Sequence, residues 1–111
     1  LRNKLEEKSY LNAKQYYKIF KFKAAIIALN NTLLDFPETK HREEITFLIL
    51  KSNFLLAENS IEKKKLERIN NTIEAYYNFV DSFGESKYLK EAQTIFTKVS
   101  EMRDDYKLKN S

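Results

Sequence analysis

The chain has 111 residues, 42% hydrophobic and 32% charged, so it is long enough to bury one core and too short for two ordinary domains. With one glycine, one proline and no cysteine, it lacks the residues needed for an all-β fold, a glycine-rich phosphate loop, a disulfide framework or a thiolate site. Its net charge of +4 comes from 20 basic and 16 acidic residues that are interleaved, which disfavours a dedicated nucleic-acid binder. The composition predicts an all-α domain without cofactor.

The sequence begins LRNKLEEKSYL and contains no apolar stretch of about 18 residues that would span a membrane. We interpret it as a C-terminal piece of a longer protein. Any secretion signal or anchor is then expected in the part that precedes it.

The first helix is predicted over residues 3–19 and the second over 23–36, because apolar residues recur at helical spacing in both. The second helix has the stricter stripe, which consists of Ile26, Leu29, Leu33 and Phe36. It is expected to end before Pro37, which lacks an N–H group and disfavours a helical conformation at Phe36.

The third helix is predicted over residues 39–58, with Thr39 as its N-cap. Its middle, ITFLILKSNFLL, is apolar on more than one side, so neighbours should cover two of its faces. It is therefore the predicted central helix.

The fourth and fifth helices are predicted over residues 62–83 and 86–107, each with an apolar stripe. Gly84 is expected to close the fourth helix in a left-handed conformation, and Ser86 to cap the fifth. A heptad coiled coil is disfavoured by the breaks at Pro37, at residues 58–61 and at Gly84.

A repeat connects these elements. FPETKHREEI at residues 36–45 returns as FGESKYLKEA at residues 83–92, an offset of 47 that covers a helix stripe, its stop and the next cap. Such a unit of helix, turn and helix is typical of an α-solenoid, although a generic bundle of three to five helices remains an alternative. A tetratricopeptide pattern ending on Pro37 places its small positions on Ala13 and Ala25. The second unit is longer, and we place the excess at residues 57–71.

Four segments carry a family resemblance over roughly residues 10–100: the pair Tyr16-Tyr17, KFKAAI at residues 21–26, DFPETK at 35–40 and EAYYNFVDSF at 74–83. In this order they resemble the C-terminal half of the BamD family, the tetratricopeptide lipoproteins of the outer-membrane β-barrel assembly (BAM) machinery. The resemblance implies a non-enzymatic, lipid-anchored scaffold at the periplasmic face of the outer membrane. Its implied partners are the periplasmic part of the barrel-forming subunit BamA and the accessory BAM lipoproteins.

Two positions depart from the family pattern. Phe20 replaces a turn glycine, and Gly84 stands where a proline is usual. We therefore expect the turns at Pro37 and Gly84 to differ in angle.

No catalytic or metal-binding constellation can be assembled from these residues. His41 is the only histidine and is interpreted as a solvated surface residue. The adjacent acidic pairs diverge around their helices and are interpreted as solvated faces.

The sequence favours partner binding over catalysis, because solenoids bind through exposed aromatic and basic side chains. The candidate aromatic anchors lie beside the strict stripes: Tyr10, Tyr17, Tyr77 and Tyr106. The densest basic cluster supplies the other candidates: Lys63, Lys64, Lys65 and Arg68. For the tyrosines, packing within the core is an equally open alternative, and for the basic cluster a solvated helix face is the alternative.

Two other functions remain open at this point. One is a different tetratricopeptide adaptor that binds a peptide in its concave groove, for which only Lys40 and Lys87 recur as a potential carboxylate clamp. The other is a basic helical nucleic-acid binder, whose affinity would fall steeply with salt.

Overall fold

The computed structural model describes residues 2–110 and confirms the all-helical class. Five helices follow one another along the chain: α1 (Arg2–Lys18), α2 (Phe22–Asp35), α3 (Arg42–Glu58), α4 (Glu62–Ser82) and α5 (Leu89–Lys109). The part of the chain that is described contains no β-strand. Short turns at residues 19–21 and 59–61 make α1 with α2, and α3 with α4, into two helical hairpins.

Helix α3 occupies the predicted central position, since it packs against all four other helices. Its Ile45 and Leu48 belong to a core shared with α1 and α2, whereas Phe47, Leu50 and Phe54 belong to a core shared with α4 and α5. The molecule is elongated, with extents of 54 × 28 × 19 Å. Each hairpin is thus covered mainly by its neighbour along the chain, as in a helical repeat.

The joint between α2 and α3 is repeated between α4 and α5 at the level of single hydrogen bonds. Phe36 N–H donates to Thr32 O and Phe83 N–H to Phe79 O, both at 2.8 Å. Thr39 N–H then donates to Phe36 O at 3.0 Å, and Ser86 N–H to Phe83 O at 3.1 Å. Each donor in the second joint lies 47 residues after its counterpart, as the sequence repeat predicts.

The hydroxyl contacts of the two joints recur as well. The Thr39 hydroxyl accepts from His41 N–H at 3.2 Å, and the Ser86 hydroxyl accepts from Tyr88 N–H at 3.0 Å. These bonds close a turn over residues 39–41 and 86–88, so α3 and α5 begin three residues later than predicted. The prediction that Thr39 and Ser86 are the N-caps of these helices was wrong, because the N-cap residues are His41 and Tyr88 and neither forms a side-chain cap bond. The two hydroxyls instead accept from N–H groups of the turn that precedes each helix.

The expected difference between the two turns is absent, and the prediction for Gly84 was wrong. Phe36 and Phe83 have nearly the same backbone angles, φ −134° with ψ 68° and φ −135° with ψ 53°. Gly84 does not have a positive φ. Because this joint does not require a left-handed residue after the phenylalanine, proline and glycine fit the same place.

The left-handed conformation occurs instead at Phe20, whose φ is +64°. Phe20 N–H donates to Tyr17 O at 3.1 Å and Lys21 N–H donates to Tyr16 O at 2.9 Å. This pair of bonds is the Schellman motif that ends a helix, in which glycine is the preferred left-handed residue. Phe20 therefore has the backbone conformation that glycine favours at the end of a helix.

The extra length of the second unit lies within the predicted range of residues 57–71. Helix α4 has 21 residues where α2 has 14. Ile69 stands 47 residues after Phe22, the first residue of α2, so the added residues of α4 are at its N-terminal end.

Candidate partner-binding surfaces

The first helices of successive units, α1, α3 and α5, are cross-linked by a recurring ion pair. Lys14 Nζ of α1 lies 2.8 Å from Glu44 Oε2 of α3, and Lys51 Nζ of α3 lies 2.7 Å from Glu91 Oε2 of α5. The lysines are 37 residues apart and the glutamates 47. We call the side formed by these three helices the first-helix surface.

Aromatic stacking recurs on the same helices. The ring of Tyr10 stacks on His41 with centroids 3.7 Å apart and planes 1° from parallel. Phe47 stacks on Tyr88 with centroids 4.6 Å apart and planes 8° from parallel. Both contacts join a first helix to the residue that precedes the next first helix, which fixes the spacing between units.

The polar groups around Tyr10 form one network. Its hydroxyl donates to Glu44 Oε1 at 2.6 Å and accepts from Lys14 Nζ at 3.2 Å. Burial alone would raise the pKa of Glu44, but hydrogen bonds from Lys14 and Tyr10 outweigh burial and lower that pKa below its usual value. Hydrogen bonds to Glu44 and Tyr10 likewise raise the pKa of Lys14. The network therefore favours the charged forms of the ion pair.

This network corrects two expectations. Tyr10 is only 6% exposed, with its ring against His41 and its hydroxyl on Glu44, so it is not an exposed anchor. The His41 side chain is 17% exposed and its Nε2 lies 2.6 Å from Glu7 Oε1, so it is not a solvated surface residue. The signal that could have found this is the repeat itself, because His41 aligns with the aromatic Tyr88 at the offset of 47.

Two other candidate tyrosines are half-buried. Tyr17 packs against the core shared by α1, α2 and α3, with its ring 6.0 Å from that of Phe22. Tyr106 packs against the core shared by α3, α4 and α5. Their rings contribute to packing, which leaves only part of each side chain to face a partner.

Tyr77 is the candidate tyrosine with an outward-facing ring, 51% exposed. It meets Phe96 edge to face at 5.7 Å, and Phe96 in turn stacks on Tyr76 at 4.4 Å. We call these three residues of α4 and α5 the aromatic face. Phe96 was missed by sequence reasoning, although it follows Ile49 of α3 by 47 residues, and Ile49 packs against both cores.

The basic cluster does not converge on one site. Lys63 and Lys64 are exposed at the start of α4, whereas Arg68 Nη1 turns back to donate to Ser60 Oγ at 2.7 Å. Lys65 is half-buried and lines a small cavity beside Met102 and Tyr106. The four side chains therefore do not form one basic patch, and two of them, Lys65 and Arg68, are partly buried.

An apolar groove at the turn end of the hairpins was not anticipated from the sequence. It has a volume of about 840 Å³ and is lined by Phe20, Lys21, Phe22, Lys23, Ala24, Ile27, Leu56 and Asn59. Phe20 is 78% exposed and Ile27 58% exposed. We call it the turn-end groove; it lies between the α1–α2 turn and the end of α3.

Within residues 2–110, no group of three or more His, Cys, Asp or Glu side chains is arranged to hold a metal ion. None of the helices described is long and apolar enough to cross a membrane.

Comparison of the sequence with protein-family models gives no match, and comparison with curated proteins gives none either.

Proposed function

We propose that the chain is a non-enzymatic helical-repeat scaffold that docks protein partners. The observation that carries this proposal is the recurrence, at fixed offsets, of the joint hydrogen bonds and of the contacts between first helices. Repeats of this kind stack into extended surfaces on which peptides or domains bind. The aromatic face and the turn-end groove supply the exposed apolar area that such binding requires.

We further propose that the scaffold is of the tetratricopeptide type and belongs to the outer-membrane β-barrel assembly machinery. This finer proposal rests on the resemblance carried by residues 21–26, 35–40 and 74–83. Ala13 and Ala25, the small positions of the tetratricopeptide pattern, are fully buried, which supports the repeat type. In this role the chain docks the periplasmic part of BamA and accessory lipoproteins, in a protein anchored at the periplasmic face of the outer membrane.

Isothermal titration calorimetry of the chain with the purified periplasmic part of BamA from the same organism tests the finer proposal. A one-to-one complex with a dissociation constant of about 10 μM or tighter is the expected result. Tyr77→Ser should weaken it about tenfold if the aromatic face takes part, whereas the exposed Tyr16→Ser, on α1, is the matched control. Absence of heat and of co-elution on size exclusion would remove the BAM assignment.

A further inference from the structure

The turn-end groove presents apolar side chains that the hairpins leave uncovered. Phe20 and Phe22 meet edge to face with centroids 6.0 Å apart, and Ile27 and Leu56 complete the apolar walls. Its volume of about 840 Å³ is in the range of grooves that hold several large side chains of a ligand. The floor is therefore suited to two or three apolar residues of a bound segment.

The rim of this groove is cationic. Lys21 and Lys23 both line it, and no carboxylate is among the described residues that do. Neither lysine forms an ion pair with another residue in the described part of the chain. The two positive charges are thus available to an anionic partner, and an apolar segment flanked by acids is complementary to the groove.

Phe20 is an independent sign that the groove is used. It occupies a left-handed position at which glycine is preferred, and its ring is displayed to solvent instead of being buried. Strained and exposed residues of this kind cluster at ligand-binding sites, because stability alone selects against them.

We propose that the turn-end groove docks an acidic amphipathic segment of a protein partner. Large apolar side chains of the segment pack on Phe20, Phe22 and Ile27, and its carboxylates face Lys21 and Lys23. This inference rests on the proposed docking function and names the partner chemistry. A protein segment fits better than an anionic bilayer because the site is a groove whose walls come from the α1–α2 turn, α2 and the end of α3, whereas a bilayer surface is bound along one helix face.

A peptide titration tests the proposal directly. The probe is a fluorescein-labelled helical peptide of about 16 residues, with Leu and Phe three and four positions apart and Glu elsewhere. The control peptide has Lys in place of every Glu. Fluorescence anisotropy should give a dissociation constant below about 100 μM for the acidic peptide and at least tenfold weaker binding for the basic one.

Charge-reversal variants locate the site. Lys21→Glu combined with Lys23→Glu should weaken binding of the acidic peptide about tenfold. Lys40→Glu combined with Lys87→Glu is the control, because it changes the net charge by the same amount at the opposite end of the hairpins, where the joints lie. This control should leave the affinity within about twofold of the parent's. Equal losses in the two double variants would mean that net charge alone attracts the peptide, and would overturn the site.

Phe20→Gly separates binding from folding. The variant should bind the peptide about threefold to tenfold more weakly, because the ring is removed. It should also raise the midpoint of urea unfolding, because the left-handed strain is removed. A variant that binds as tightly as the parent would contradict the assignment of Phe20 to the groove.

Two further outcomes would overturn the proposal. One is the absence of acidic-peptide binding. If the chain then binds vesicles of phosphatidylcholine with phosphatidylglycerol, and the Lys21 and Lys23 reversals abolish that binding, the groove would be assigned to membranes. The other is equal affinity for both peptides. Binding of BamA without peptide binding would remove the groove proposal alone and leave the scaffold function standing.

Discussion

The ring of Tyr10 lies flat against the imidazole of His41, with centroids 3.7 Å apart, and thereby ties α1 to the entrance of α3. The stack of Phe47 on Tyr88 ties α3 to the entrance of α5 in the same way. A contact that recurs at equivalent places in two units is a property of the unit, as expected of a helical repeat. The contacts on the first-helix surface therefore also hold the successive units together.

Removing the ring of Tyr10 should destabilise the folded chain. Tyr10→Ala is expected to lower the free energy of unfolding by about 3 kcal/mol, because it deletes a buried aromatic contact. Tyr10→Phe keeps the ring and should cost about 1 kcal/mol, the hydrogen bond to Glu44. Urea denaturation followed by circular dichroism measures both. Tyr77→Phe, at an exposed ring, is the control and should change stability by less than about 0.5 kcal/mol.

Relief of the left-handed strain at Phe20 should stabilise the chain. Phe20→Gly is expected to raise the free energy of unfolding by about 0.5 kcal/mol, the gain from removing the left-handed penalty less the added entropy of the unfolded chain. Phe20→Ala keeps the penalty and should not stabilise. Thermal melts of the three proteins decide the matter, and a glycine variant no more stable than the alanine variant would show that the turn carries no such strain.

Acid should weaken the link between α1 and α3. The folded-state pKa of Glu44 is below its usual value of 4.5, so its contribution is present above that value and is lost as the pH falls through the lowered pKa. Glu44→Gln should reduce stability by about 1 kcal/mol at pH 7, and the difference from the parent should shrink as the pH falls below about 4.5. Urea unfolding from pH 7 to pH 3 provides the measurement.

The matched control for this pH series is Glu74→Gln on the exposed side of α4. Its free energy of unfolding should stay close to that of the parent over the whole pH series. If the Glu44 and Glu74 variants responded to pH alike, the network around Tyr10 would not be the source of the effect.

The Thr39 and Ser86 hydroxyls should both stabilise the joints, and that of Ser86 also donates to Glu43, so its removal costs this bond as well. Thr39→Ala and Ser86→Ala are each expected to cost at least about 1 kcal/mol, because each leaves a turn N–H, that of His41 or Tyr88, without its hydroxyl acceptor. Thr94→Ala, at an exposed mid-helix position of α5 where the hydroxyl only bonds back to Lys90 O, should be near neutral. Chemical denaturation of the three variants tests this prediction. Unchanged stability of both the Thr39 and the Ser86 variant would contradict the shared joint.

Helix periodicity predicted most of this fold, because it is a local property. The stripe ending at Phe36 and the central position of α3 could both be inferred from residues close in sequence. The N-caps of α3 and α5 could not, because a turn closed by the Thr39 or Ser86 hydroxyl precedes each helix. The offset of 47 extended that local information to a repeat, and the hydrogen bonds of the two joints reproduce it.

The candidate binding surfaces could not be predicted as well, because they depend on which residues of different helices meet. Tyr10 looked like an exposed anchor since it lies off the stripe of its own helix, yet α3 brings His41 and Glu44 against it. The turn-end groove combines Phe20 and Ile27 with Leu56, which no single helix pattern connects. The left-handed angle at Phe20 gave no sequence signal beyond its place in a turn where glycine is usual.

Hydrogen–deuterium exchange of the chain, free and bound to the periplasmic part of BamA, is the most direct test of the docking scaffold. We predict slower exchange on binding around residues 19–27 and 56–61, or across the aromatic face of α4 and α5, with the first-helix contacts near Tyr10 unchanged. Unaltered exchange throughout the chain at saturating partner, or slowing confined to the residues around Tyr10 and His41, would contradict the account.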